Sequence, residues 1–207
     1  MDGEVNPGLV MEEFEIKGAK VNSAYLFDDW RYGKVQLKSE NTFKADLRYD
    51  ALNQVLEVKP ENQVLICNPN RLVNFEYYAG RDTVRFVNVD QFEPSKELDF
   101  TTGIFEILYG KDDLRLAKTT EYRIKKPDYN PALNYGSIDE EIKVVNDYYK
   151  IFKGQYTQLD ISKRKIPEFF IPFQEEVRAL IKREKLNPKR NIEDLEPIFS
   201  YYDKLIK

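Results

Sequence analysis

One change of hydrophobic period, near Ser162, divides this 207-residue chain into a long part that must be sheet and a short part that must be helix. Before that point apolar residues return at every second position, which places them on one face of a pleated strand. Val35 and Leu37 alternate with polar neighbours, Phe43, Ala45, Leu47 and Tyr49 repeat the pattern, and Val55, Leu56 and Val58 follow the turn Asp50-Ala51-Leu52-Asn53. The same pattern continues through 63–67, 72–78, 83–89, 103–109 and 114–124. Gly80-Arg81-Asp82 and Gly110-Lys111-Asp112-Asp113 supply the glycine and short polar residues that tight turns require. About eight strands are thus expected before residue 126, with a further hairpin of 142–152 and 156–161 around Lys153-Gly154-Gln155. Pro127 and Pro131 mark the stretch from Lys126 to Ser137 as a surface crossing. Ser137-Ile138-Asp139-Glu140 matches a capping box, so one helical turn there is an alternative to strand.

Beyond Ser162 the spacing becomes helical. Phe173, Val177, Leu180 and Ile181 share one face, Pro172 can begin that helix and Asn187-Pro188 should end it. A second helix opens near Asn191 and carries Ile192, Leu195, Phe199, Tyr202, Leu205 and Ile206, with Pro197 making Asp194 an alternative cap. Two helices in about 45 residues cannot enclose a core of their own. The expected fold is therefore mainly β, an antiparallel meander of barrel- or sandwich-like form over 1–161, with a two-helix C-terminal segment over 162–207 packed on it as a single domain.

Composition limits the chemistry. The chain has no histidine and one cysteine, Cys67, so His triads, His-assisted thiol nucleophiles and His- or Cys-built zinc, haem and iron–sulfur sites cannot be assembled. No disulfide can form within the chain, and Cys67 in Val64-Leu65-Ile66-Cys67 reads as a small buried hydrophobe. A net charge of −4, with 32 basic and 36 acidic residues intermixed, offers no field for nucleic acid. No apolar run reaches the ~18 residues of a membrane helix. Taken alone, the start Met1-Asp2-Gly3-Glu4 lacks the regions of a signal peptide and reads as cytoplasmic. No glycine-rich phosphate loop and no spaced oxygen ligands of a calcium loop are present, so neither cofactor nor metal is expected.

The aromatic segment Asp28–Gly33, the turn Leu47–Asp50, the late Tyr148-Tyr149 hairpin and the tail Ile198–Asp203 together resemble secreted β-rich proteins of Bacteroidetes, a family of unknown function. That resemblance implies an extracytoplasmic location and a signal peptide that the chain as written lacks. It implies no activity.

Three groups of residues are candidates for binding. Asp28, Asp29, Trp30 and Tyr32 place two carboxylates beside two aromatic rings, a combination that sugar sites use for acid–base work and stacking. Neighbouring residues point apart on a strand, however, and the alternative is a turn followed by a Trp anchored in the core. Tyr77-Tyr78 and Tyr148-Tyr149 could line a groove; the alternative is that one ring of each pair faces the core and the other covers the solvent side of the sheet. The basic runs at 163–165, 182–185 and 189–190 are interleaved with glutamates and read as solvated faces. The expected function is a non-enzymatic binding or structural module whose partner is protein or glycan. The alternatives are a carboxylate-dependent enzyme acting on carbohydrate and a β-barrel carrier of a small apolar ligand.

Overall fold

The structure is a computed structural model that describes residues 14–16, 24–59, 64–67, 69–97, 101–110, 112–126 and 141–207. The expectations for 127–140, including the surface crossing and the capping box, lie outside the described residues. Among those described there are twelve strands: β1 Phe14–Ile16, β2 Arg31–Leu37, β3 Thr42–Asp50, β4 Val55–Lys59, β5 Leu65–Cys67, β6 Leu72–Ala79, β7 Asp82–Asn88, β8 Glu93–Pro94, β9 Ile104–Tyr109, β10 Leu114–Lys125, β11 Glu141–Phe152 and β12 Gln155–Gln158. Two α-helices follow, α1 Gln174–Arg183 and α2 Leu195–Leu205. The chain is mainly β, as its period-2 pattern requires. It divides into two compact units, one of Met1–Arg81 with Thr120–Asn146, the other of Asp82–Thr119 with Asp147–Lys207. The helical segment belongs to the second.

In the first unit the strands run β1-β5-β4-β3-β2-β6, each antiparallel to its neighbours. Register explains the core. Val35 lies opposite Phe75, Tyr49 opposite Leu56 and Leu47 opposite Val58, and all six are buried. Residues directly opposite share a face, so the alternation along each strand assembles into one apolar layer. Gly33, opposite Tyr77, has no room for a side chain, because a Cβ there would lie 2.1 Å from the Glu76 carbonyl oxygen. The expected turn at Asp50 forms around its buried carboxylate, which accepts from the amides of Leu52 and Asn53, both at 3.1 Å, and from Asn53 Nδ2 at 2.8 Å.

In the second unit the order is β7-β9-β10-β11-β12-β8, with β12 and β8 parallel; only residues 114–119 of β10 and 147–152 of β11 belong to it, the remainder of both strands to the first unit. Neither unit's order returns to its first strand, so neither is a closed barrel. Phe152 pairs with Gln155, leaving a two-residue loop in which Lys153 (φ 50°) and Gly154 (φ 80°) are both left-handed, the conformation of a type I′ hairpin. Val89, Phe105, Ala117, Tyr149, Ile151 and Tyr156 form one buried cluster. A second cluster joins Leu114 and Leu116 to Val177, Leu180 and Ile181 of α1 and Leu195, Ile198, Phe199 and Tyr202 of α2. The helices thus bury their stripes on strand residues, as their shortness demands.

Several boundaries differ from the sequence expectation. The last strand stops at Gln158 rather than Ile161, and α1 begins after Phe173 instead of at Pro172. Pro197 falls at the third position of α2, where its missing N–H breaks no helical bond. Asp194 precedes that helix without capping it, because its carboxylate accepts from the Asn187 amide at 2.5 Å and from Asn191 Nδ2 at 3.0 Å. Strands β1 and β8 are too short to leave a period in sequence.

Candidate functional site

On the face of the first unit opposite the core, alternation brings two of the sequence candidates together. Because Gly33, Leu47 and Tyr77 are buried, Tyr32 of β2, Asp46 of β3 and Tyr78 of β6 point the other way. Tyr32 is 54% exposed and its ring lies 6.0 Å from that of Tyr78 at a tilt of 49°. Asp46 lies opposite both Tyr32 and Lys59, and the Lys59 ammonium sits 5.8 Å from the centre of the Trp30 ring. Glu76 hydrogen-bonds the Tyr78 hydroxyl, whose pKa is raised by partial desolvation first and then by that carboxylate. Asn74 Nδ2 donates to Gln36 Oε1 at 2.7 Å and continues the polar row.

Trp30 is not the core anchor that its sequence context allowed. It is half-buried, and the Arg48 guanidinium lies between two rings, 4.5 Å from that of Trp30 and 3.7 Å from that of Tyr25. Arg48 also pairs with the fully buried Glu57 at 2.9 Å, its direct partner across β3 and β4, and Tyr25 donates its hydroxyl to Glu57 at 3.1 Å. A buried carboxylate tolerates removal from water only when charge and hydrogen bonds replace the lost hydration, and both are present. The cluster therefore holds Trp30 between Arg48 and Lys59, beside the strand that carries Asp46. Asp28 and Asp29 are exposed in the bend preceding it.

Tyr77 and Tyr149 are core residues. Tyr77 is buried between Phe27 and Phe75, at 5.6 and 5.3 Å, and desolvation pushes its hydroxyl pKa well up. Tyr149 packs on Phe105 at 5.0 Å and Tyr156 at 5.9 Å. Tyr148 departs from the expectation: instead of covering a solvent face, it packs against the helical cluster, since both faces of β11 are covered there. Beside it Lys150 donates to the Phe169 carbonyl among the rings of Phe152, Phe170 and Tyr202, and desolvation lowers its pKa.

The aromatic face offers rings for stacking and polar groups for hydrogen bonding. Asp46 and Glu76 stand on strands separated by β2, so roughly 9–10 Å of sheet lies between them and their side chains rise from one flat surface instead of facing across a cleft. Glu121 and Asp160 have pKa values lowered by hydrogen bonds, to Arg123 and Ser162 respectively, the opposite of a general acid. Among the described residues no cluster of three metal-ligating side chains occurs.

The second unit holds a cleft of about 790 Å³ that the sequence reading missed, lined by Tyr109 and Gly110 of β9 and its turn, by Phe152 and Lys153 of the hairpin, and by the end of α2. Its residues lie far apart in sequence, and the only local signals were the two glycine turns on its rim. Comparison of the chain with protein-family models, with curated proteins and with solved structures gives no match.

Proposed function

We propose that this chain is a non-enzymatic binding module acting outside the cytoplasm, and that it takes a glycan on the aromatic face of its first unit. One observation carries the reading: the exposed Tyr32 ring lies 6.0 Å from that of Tyr78, with Asp46 opposite Tyr32 and Lys59 next to it reaching toward the Trp30 ring. Flat rings can stack on the apolar faces of sugars, while Asp46, Glu76 and Lys34 meet the hydroxyls around the ring edges. A flat surface with its carboxylates side by side supports binding over hydrolysis. The extracytoplasmic location rests on the resemblance to secreted Bacteroidetes proteins.

Trp30 is the only tryptophan and serves as the reporter. Titration with oligosaccharides from a glycan array should change its fluorescence. Tyr32→Ala should weaken that binding about tenfold, the loss of about 1–1.5 kcal/mol from one stacked ring, without lowering the melting temperature. Absence of binding across the array would refute the proposal, and release of new reducing ends would replace it with the enzyme.

A further inference from the structure

The cleft of the second unit has a built, preorganised floor. Each aromatic ring of that floor is backed edge-on by a ring of α2: Tyr109 by Phe199 at 6.4 Å, Phe152 by Tyr202 at 6.4 Å and Phe173 by Tyr202 at 6.2 Å. Phe199 and Tyr202 are themselves buried, so the floor cannot collapse without unpacking the helix. The rim is fixed as well. The Lys153 amide donates to the Asp113 carbonyl at 2.9 Å, tying the hairpin tip to the β9–β10 turn, and Gly110 in that turn is left-handed (φ 78°) with its Cα against the Leu114 carbonyl.

Charge on the rim is of both signs, with Asp112, Asp113 and Asp203 set among Arg85, Lys153 and Lys207. Lys207 is committed to Asp203 at 2.7 Å. Asp112 and Asp113 are exposed, and the Asp112 carboxylate stands near enough to the Lys207 ammonium to help raise its pKa, after the larger effect of Asp203. The Lys153 ammonium has the Phe152 ring, 5.3 Å away, as its neighbour. Carboxylates beside aromatic rings recognise an organic ammonium, and a lysine over the same floor recognises a carboxylate. The volume is that of a small-molecule site.

We infer that this cleft binds a zwitterionic, amphipathic small molecule of the amino-acid or short-peptide class. Its amine is held by Asp112 and Asp113, its carboxylate by Lys153, and its apolar side chain by Tyr109, Phe152 and Phe173. The site is independent of the glycan face, and its residues are different.

Isothermal titration of the full chain with three probes tests this: the free dipeptide Leu-Phe, its N-acetyl form and its C-terminal amide. The free dipeptide should bind, and each blocked form should bind about tenfold or more weakly, because each lacks one charged hydrogen bond. Asp112→Asn with Asp113→Asn should abolish the preference for the free amine. Lys153→Asn, which keeps a residue tolerant of the left-handed conformation, should abolish the preference for the free carboxylate. Failure of all three probes to bind, equal binding by all three, or preferences that survive the substitutions would each overturn the inference. Tyr32→Ala should leave dipeptide binding unchanged, so the two proposals fail separately.

Discussion

Truncating Phe199 to alanine tests whether α2 is held by the sheet it packs on. Its side chain is fully buried, with ring contacts to Phe170 at 5.2 Å and Tyr109 at 6.4 Å, and it lies in the cluster that joins Leu114 and Leu116 to both helices. Losing the transfer free energy of a phenyl group contributes about 2–3 kcal/mol. The void adds to this, because Phe170 is fully buried and Tyr202 is tied to the Ile171 carbonyl by a 2.9 Å hydrogen bond, so neither can move in to fill it. A total of about 3–5 kcal/mol follows, which in a chain of this length lowers the melting temperature by roughly 6–20 °C. Differential scanning calorimetry at several concentrations is the assay, with Tyr202→Phe, which removes only the hydroxyl, expected to cost about 1 kcal/mol. A melting temperature unmoved by Phe199→Ala would show that the ring is not packed as described. A loss of mass in sedimentation without a loss of stability would show that the apolar stripe serves association instead.

Two left-handed glycines of the second unit, Gly110 and Gly154, should separate strain from collision. Gly154→Ala meets nothing within 4 Å and should cost about 1 kcal/mol, whereas at Gly110 the new Cβ would lie 2.1 Å from the Leu114 carbonyl oxygen and should cost at least twice that by urea denaturation; equal costs would contradict the geometry. Glu57→Gln should cost about 2 kcal/mol, reduced from the fully buried case because the Arg48 side chain is 20% exposed, and the double change Arg48→Met with Glu57→Leu should cost less than either single change. In alkali, burial raises the pKa of Tyr49 and Tyr77, so their contribution is intact below about pH 10 and is lost as pH rises toward the folded-state values. Each such tyrosine contributes a slope of about 1.4 kcal/mol per pH unit above pH 10. Lys150 works in the opposite sense: its lowered pKa makes stability rise with pH until the unfolded lysine loses its proton near 10.5. Tyr49→Phe with Tyr77→Phe should flatten the alkaline loss seen by circular dichroism, and an unchanged slope would count against tyrosine burial as its cause.

How much of this was legible beforehand depended on the range of the interaction. The candidate face was half legible: Trp30, Tyr32 and Tyr78 could be named, but their union needed the β2–β6 and β2–β3 registers, and Asp46 and Glu76 carried no mark in sequence. Tyr148 was misplaced because sequence alternation says which residues oppose each other but not what covers the second face. The cleft of the second unit was legible only in its glycine turns, since Tyr109, Phe152 and Phe173 come from three separate elements.

The main elements could be read from local spacing, because period 2 and period 3.6 are properties of neighbouring residues and act before any tertiary contact forms. The sequence also determined the turns, through Asp50, Gly110 and Lys153-Gly154, and it excluded histidine chemistry by composition. Which rings met followed from packing between distant segments. A strand's partners, the second cover on β11 and the backing of each cleft ring by α2 are contacts between distant segments, whose free energy depends on the geometry of the packed whole.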